Sequence, residues 1–288
     1  MFEDLKKIIF RSAFFLIPAL AILASCGPER LIGDYYIKHS PKGSILLMRP
    51  EFIYKNNLMR FDLSDQMSES EKDSVAYYRS SYLQYVSDSA FLDEYMNNFI
   101  DHLLSAGFDV YAQEYLDSFM MVGPPAYIVN VAQLQMEESR DTSDNTLGSW
   151  IYRNDYYNST ALSMNTLRLN SWFEVTELNA DSGKVRKLFF ASSIARDAVK
   201  SGLSIVPQTG EFRYQYAIDT LKLNDVYELA RQSGKTYGAY LIDYFMNDYI
   251  RVQMPNGILP QHYMHYDPGL HHIRDSHGEG FREIEPDE

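Results

Sequence analysis

Residues 89–106 constrain the fold more than any other stretch. Phe91, Leu92, Tyr95, Met96, Phe99, Ile100, Leu103 and Leu104 recur at i, i+1, i+4 and i+5, the spacing of one continuous stripe along a helix. Such a helix is stable only when the stripe lies on another apolar surface. Asp88 or Ser89 suits the N-cap, and Gly107 suits the position just past the end. On either side the pattern changes from helical spacing to short apolar runs. Ser44-Ile45-Leu46-Leu47-Met48, between Gly43 and Pro50, reads as a buried strand, and Phe108 to Ala112 alternates as another. A short helix is predicted over 113–121 and is stopped by Gly123-Pro124-Pro125. Tyr127 to Ala132 is the next strand, running on toward Met136. The order strand, helix, strand, helix, strand predicts parallel crossovers with helices packed on a sheet.

The remainder extends this α/β reading into a single domain over 44–255. Residues 52–63 prolong the first strand or form a second. Ser64 to Ser74 reads as a polar loop before a helix at about 75–86. Residues 137–159 are polar and predict a mobile loop or an excursion between strands. Thr160 to Leu178, the turn chemistry of Asn179-Ala180-Asp181-Ser182-Gly183, and Val185 to Ala191 predict a β-hairpin. Residues 192–210 have no clear pattern. A long late helix starts near Asn224 with Val226, Leu229, Ala230, Tyr237, Leu241, Tyr244 and Phe245 on one face, and ends before Pro255. Gly234 and Gly238 either interrupt it or let another element approach closely. Residues 256–288, rich in His, Gly and acid, predict a weakly ordered tail. The fold class is therefore a mixed sheet with helices packed on it: a β-α-β start, a hairpin and a long late helix.

The N-terminus carries an address. Lys6, Lys7 and Arg11 precede an uncharged run from Ala13 to Leu23. At about 11 residues that run is shorter than the roughly 20 a spanning helix needs, so it reads as an export signal over 1–25. Leu23-Ala24-Ser25-Cys26 resembles the lipobox of bacterial lipoproteins, including those of Bacteroidetes type. The resemblance implies cleavage between Ser25 and Cys26, acylation of Cys26, and attachment to the membrane through it, with 26–43 as a tether. Several acyl chains hold where a single one binds only reversibly. Gly27-Pro28-Glu29-Arg30-Leu31 lacks the acidic run that directs some such lipoproteins to the cell surface, which favours the periplasmic face of the outer membrane.

Composition narrows the function classes. With 26 basic against 39 acidic residues the net charge is −13, and removing residues 1–25 leaves the rest one charge more negative. That balance argues against nucleic acid and against a face that hugs anionic lipid. Cys26 is the single cysteine, so an exported domain without a disulfide must rest on its core, which 23 Tyr and 16 Phe help to fill.

Catalytic motifs are absent: no GxSxG, HExxH, P-loop or GxGxxG occurs, and no motif asks for a cofactor. Asp93/Glu94 and Glu137/Glu138 are adjacent acids of the kind that usually face water, and Asp243 and Asp248 fall on the polar side of the late helix by the same logic. His262, His265, His271, His272 and His277, with Asp267, Asp275 and Glu279 among them, form a candidate metal-binding tail. Pro268-Gly269 argues against a helix that would bring them onto one face.

In element order, residues 44–252 resemble small α/β envelope lipoproteins of the curli-secretion and penicillin-binding-protein-activator types, whose fold is related to the N-terminal domain of the Tol-system propeller protein. The stretch 64–88 and the tail have no counterpart there. The lipobox and this resemblance imply a lipid-anchored, non-enzymatic binding or assembly component with a protein partner in the envelope. Two alternatives stand beside it: a periplasmic hydrolase whose carboxylates converge only in the fold, and a subunit of a secretion or surface complex.

Overall fold

The computed structural model describes residues 27–285 apart from 60, 62, 64, 150–155, 180–182, 206, 211, 256–257 and 277–279. The export signal with Ser25 and Cys26, the centre of the 179–183 turn, and His277 lie outside the described residues. In chain order the elements are α1 (Pro28–His39), β1 (Ser44–Met48), β2 (Tyr54–Asn57), α2 (Glu69–Tyr78), α3 (Asp88–Ser105), β3 (Asp109–Ala112), α4 (Leu116–Phe119), β4 (Ala126–Ser149), β5 (Tyr156–Asn179), β6 (Gly183–Arg196), β7 (Ala198–Ile205), β8 (Phe212–Asp219), α5 (Leu223–Gln253), β9 (Tyr263–Asp267), β10 (His272–Ser276) and β11 (Arg282–Ile284).

A mixed seven-stranded sheet runs β11-β6-β5-β4-β1-β3, with β2 pairing farther along the same edge of β4. Strands β1, β2 and β3 are parallel to their neighbours, while β4, β5, β6 and β11 are joined antiparallel. The β1-α3-β3 start and the parallel β1–β4 pair are the crossover arrangement expected from the sequence. Helices α3 and α5 cover one face. Phe91, Tyr95, Phe99 and Leu103 of α3 meet Val226, Ala230, Tyr237 and Leu241 of α5 over Val129, Leu167, Leu169 and Phe173 of the sheet. On the opposite face, among the described residues, Phe119 of α4 forms a small cluster with Leu46 and Ala126.

One irregularity in β4 decides which residues reach the core. The register shifts between Val131 and Gln133, leaving Ala132 as the extra residue of a β-bulge. The bulge reverses the alternation, so Val129 and Val131 are buried before it and Leu134, Met136 and Glu138 after it.

Several segments differ from their sequence expectations. Residues 137–159 are largely strand: β4 and β5 pair from Asp141↔Met164 to Ser149↔Tyr156, beyond the end of β6. Backbone pairing holds such a ribbon without apolar alternation. The 192–210 stretch is the end of β6 followed by β7, which pairs with β8. The helix expected at 75–86 lies earlier, capped by Ser68 and Glu71 in a reciprocal capping box. The helix expected at 113–121 is reduced to one 3-10 turn and the four-residue α4.

The tether and the tail are also folded. Helix α1 packs on α5 and on the β9–β10 hairpin. Met264, Tyr266, Ile273 and Phe281 of the tail are buried, and β11 adds to the edge of β6. The tail is held by side chains of α5. Asn247 donates to Met264 O (2.7 Å) and accepts from Met264 N (2.8 Å), satisfying a strand edge as a neighbouring strand would.

Candidate functional site

The acids singled out in the sequence take structural roles. Glu138, fully buried, accepts hydrogen bonds from the backbone N–H groups of Ser81 (2.6 Å), Tyr82 (3.0 Å) and Leu83 (3.2 Å). Asp243 is 2% exposed, not on a solvated side. Asp93 and Glu94 do reach the surface, facing Arg49 (3.3 Å) and Arg231 (3.5 Å). The carboxylates that line clefts are each committed to a partner. Asp248 and Glu283 share a cleft of about 410 Å³ but pair with Arg251 and Lys187 respectively. Hydrogen bonds from Lys200 to Asp219, and from Gln232 and Arg231 to Glu228, hold both acids below their ordinary range. That is the wrong direction for a general acid at neutral pH.

The tail histidines separate. His262 lines the Asp248/Glu283 cleft, His271 Nδ1 is 3.2 Å from the Tyr266 hydroxyl, and His272 Nδ1 is 3.2 Å from Arg30. Among the described residues no three His, Cys, Asp or Glu side chains converge on a point where a metal ion would sit.

His265 stands apart because α5 builds a place for it. Asp243 lies one turn before Asn247 and faces the tail. Its Oδ1 accepts the N–H of Tyr266 (2.8 Å), and its Oδ2 is 2.6 Å from His265 Nδ1. The hydrogen bond that His265 Nδ1 donates to Asp243 raises the pKa of His265, while burial raises that of Asp243. The ring lines a cleft of about 370 Å³ with His102 at the end of α3, Lys235 and Tyr240 of α5, and Asp267. His102 is 7% exposed, and its buried Nε2 has no hydrogen-bond partner. Burial first, then the charges of Lys235 and His265, lower its pKa. No described hydroxyl is hydrogen-bonded to either imidazole, so no activated nucleophile accompanies the Asp-His pair.

This pair has a measurable pH signature. A histidine whose pKa is raised on folding contributes stability that is complete below its unfolded value of 6.5 and is lost as pH rises through the folded value. Asp243→Asn keeps the size but removes the charge. It should destabilise the fold by about 1–3 kcal/mol below the ordinary histidine value of 6.5, and the gap to wild type should narrow as pH rises above it. Thermal melts on both sides of that value check the result; a gap independent of pH would contradict the assignment.

A second surface lies at the far end of the sheet. After Arg196 the chain passes through Asp197, 2% exposed, into the β7–β8 ribbon. Asp197 Oδ2 accepts from Asn165 N (2.8 Å) and Asn165 Nδ2 (3.0 Å), and its Oδ1 accepts from Leu221 N (2.8 Å). One carboxylate thus ties the ribbon's outgoing and returning ends to β5. Beyond that root, β7 and β8 pair only with each other among the described residues. β8 reads Phe212-Arg213-Tyr214-Gln215-Tyr216-Ala217-Ile218-Asp219, apolar at every second position. Val199 is paired with Ile218 and Ile205 with Phe212, and Ile205 and Ile218 are 59% and 40% exposed. That alternation is the sequence signal that marks this strand. No helix among the described residues is long and apolar enough to cross a membrane.

The chain matches no protein-family model, and no curated protein is significantly similar to it.

Proposed function

We propose that the protein is a lipid-anchored binding or assembly component of a bacterial envelope, held by an acylated Cys26 and meeting a protein partner through the β7–β8 ribbon. The observation that supports this is the ribbon itself. A lone two-stranded ribbon is marginal in water, and open strand edges beside exposed apolar residues are templates for another chain. Asp197 fixes the direction in which the ribbon leaves the domain, so partner contact does not require the domain to rearrange. A partner that adds a strand to either edge, or lays an apolar surface over Ile205 and Ile218, completes the unit.

The ion-paired acids of the clefts give the hydrolase reading no support. The reading as a subunit of a larger complex shares the same contact and differs only in the number and identity of the chains that meet there. In-cell crosslinking from a photoreactive residue at position 218 tests the proposal. One recurrent envelope protein should be captured, and capture should fall by about tenfold or more when Ile205→Asp removes an apolar anchor. Equal capture from position 218 and from the remote, exposed Leu270 would count against the ribbon as the contact.

A further inference from the structure

The cleft lined by His102, Lys235 and His265 is independent of the ribbon, and its chemistry points to a ligand. The whole chain carries a net charge of −13, yet the lining of this cleft holds one lysine and two imidazoles against a single carboxylate, Asp267. Lys235 is exposed and makes no ion pair among the described residues. Asp243 sits behind His265, orients its ring through Nδ1, and leaves Nε2 without a described partner. Arg274 adds positive potential to the same histidine. Asp267, the acid on the rim, turns Oδ1 back onto its own turn, accepting from Gly269 N (2.9 Å) and Leu270 N (3.1 Å). His102 supplies the independent observation: a ring more than nine-tenths buried, lining the cleft, whose Nε2 has nothing to bond. An unmet buried polar group costs stability unless a ligand or water meets it.

We infer that this cleft binds an oxyanion group, a phosphate or a carboxylate, between Lys235, His102 Nε2 and His265 Nε2. A metal cation fits less well, because Lys235 repels it and among the described residues no third ligating side chain converges with the two imidazoles. An oxyanion needs several N–H donors and a positive field in a partly desolvated hollow, and these three side chains supply both. The cleft volume of about 370 Å³ admits a small anion or the charged end of a larger ligand.

Equilibrium dialysis of the detergent-solubilised full-length protein tests this, with inorganic phosphate in one arm and acetate in the other, at constant ionic strength. Saturable binding of one anion per chain is expected, and the arm that saturates at lower concentration identifies phosphate or carboxylate as the preferred group. Lys235→Ala changes an exposed side chain and preserves the fold, and it should weaken binding by about five- to tenfold. His102→Gln should weaken it comparably, with an unchanged far-ultraviolet circular dichroism spectrum showing that the chain is folded. Lys200→Ala, at the remote ribbon and paired with Asp219, should bind as wild type does. Absence of saturable binding in both arms, or equal binding by wild type, Lys235→Ala and His102→Gln, would overturn the assignment.

Discussion

Glu138→Ala should destabilise the protein by about 4 kcal/mol, a large part of the stability of an ordinary domain. Glu138 follows Leu134 and Met136 on the core-facing side of β4 and is fully buried. Its carboxylate meets the N–H groups of Ser81, Tyr82 and Leu83 where the chain enters the 3-10 turn Leu83–Tyr85. Those N–H groups have no helical partners at a helix start. Truncation removes three charge-assisted hydrogen bonds and strands the buried donors of Tyr82 and Leu83, and the second effect is the larger. Glu138→Gln should cost about half as much, because one amide oxygen still accepts while the NH2 group turns a donor toward donors. Glu137, its half-exposed neighbour, accepts from Gln135 Nε2 (2.9 Å), and Glu137→Ala should cost less than about 1 kcal/mol. Urea denaturation of the three variants measures the contrast; equal losses for Glu137→Ala and Glu138→Ala would refute it.

Gly234→Val should be more damaging still, leaving little folded protein at 37 °C. A Cβ at residue 234 would lie 2.2 Å from the carbonyl oxygen of Tyr95 and 3.2 Å from the backbone nitrogen of Phe99. Both obstacles are main chain in α3, so no side-chain rotation relieves the overlap, and α3 and α5 must separate. In an open helix Gly→Ala gains about 1 kcal/mol from propensity. Here the overlap outweighs that gain, and Gly234→Ala should lose about 3 kcal/mol or more. Gly238 lies one turn on, where the nearest atoms would be 3.1 Å and 3.2 Å away. Gly238→Ala should therefore be milder, within about 1–2 kcal/mol. Thermal melts followed by circular dichroism rank the variants; a stabilised Gly234→Ala would mean that the helices do not touch there.

These two positions also show what the sequence could and could not disclose. Gly234 and Gly238 were readable as a break in the helix or as a close approach, and the proximity of α3 decides for the approach. The stripe of α3, the apolar run of β1 and the long face of α5 were legible because each repeats a local period and ends at Gly or Pro. The bulge at Ala132 was written only as a change of phase between Val131 and Leu134. Glu138 and Asp243 were misplaced for a different reason. An acid is buried when backbone donors from distant segments meet it, here Ser81–Leu83 for the first and Tyr266 for the second, and no local pattern records that meeting.

The folded tail follows the same rule. Met264 and Tyr266 alternate over too few residues to announce a strand, and Asp243 and Asn247 of α5 supply the partners that hold it. Among the histidines, composition suggested a shared metal site, whereas geometry places His265 with His102, a residue from α3 that the tail pattern could not include. The β7–β8 ribbon combines both difficulties, since its alternation is regular but Ile205 and Ile218 stand exposed.

In the proposed arrangement an acylated Cys26 brings the ribbon to a partner at the membrane. The direct measurement is fractionation of cells carrying the photoreactive residue at position 218, in wild type and in Cys26→Ala, with capture assayed in each fraction. The prediction is that wild type sediments with the membrane and captures one recurrent envelope protein, while Cys26→Ala becomes soluble and its capture falls by about tenfold or more as the effective concentration at the membrane is lost. Cys26→Ala remaining in the membrane fraction with capture undiminished would contradict the account.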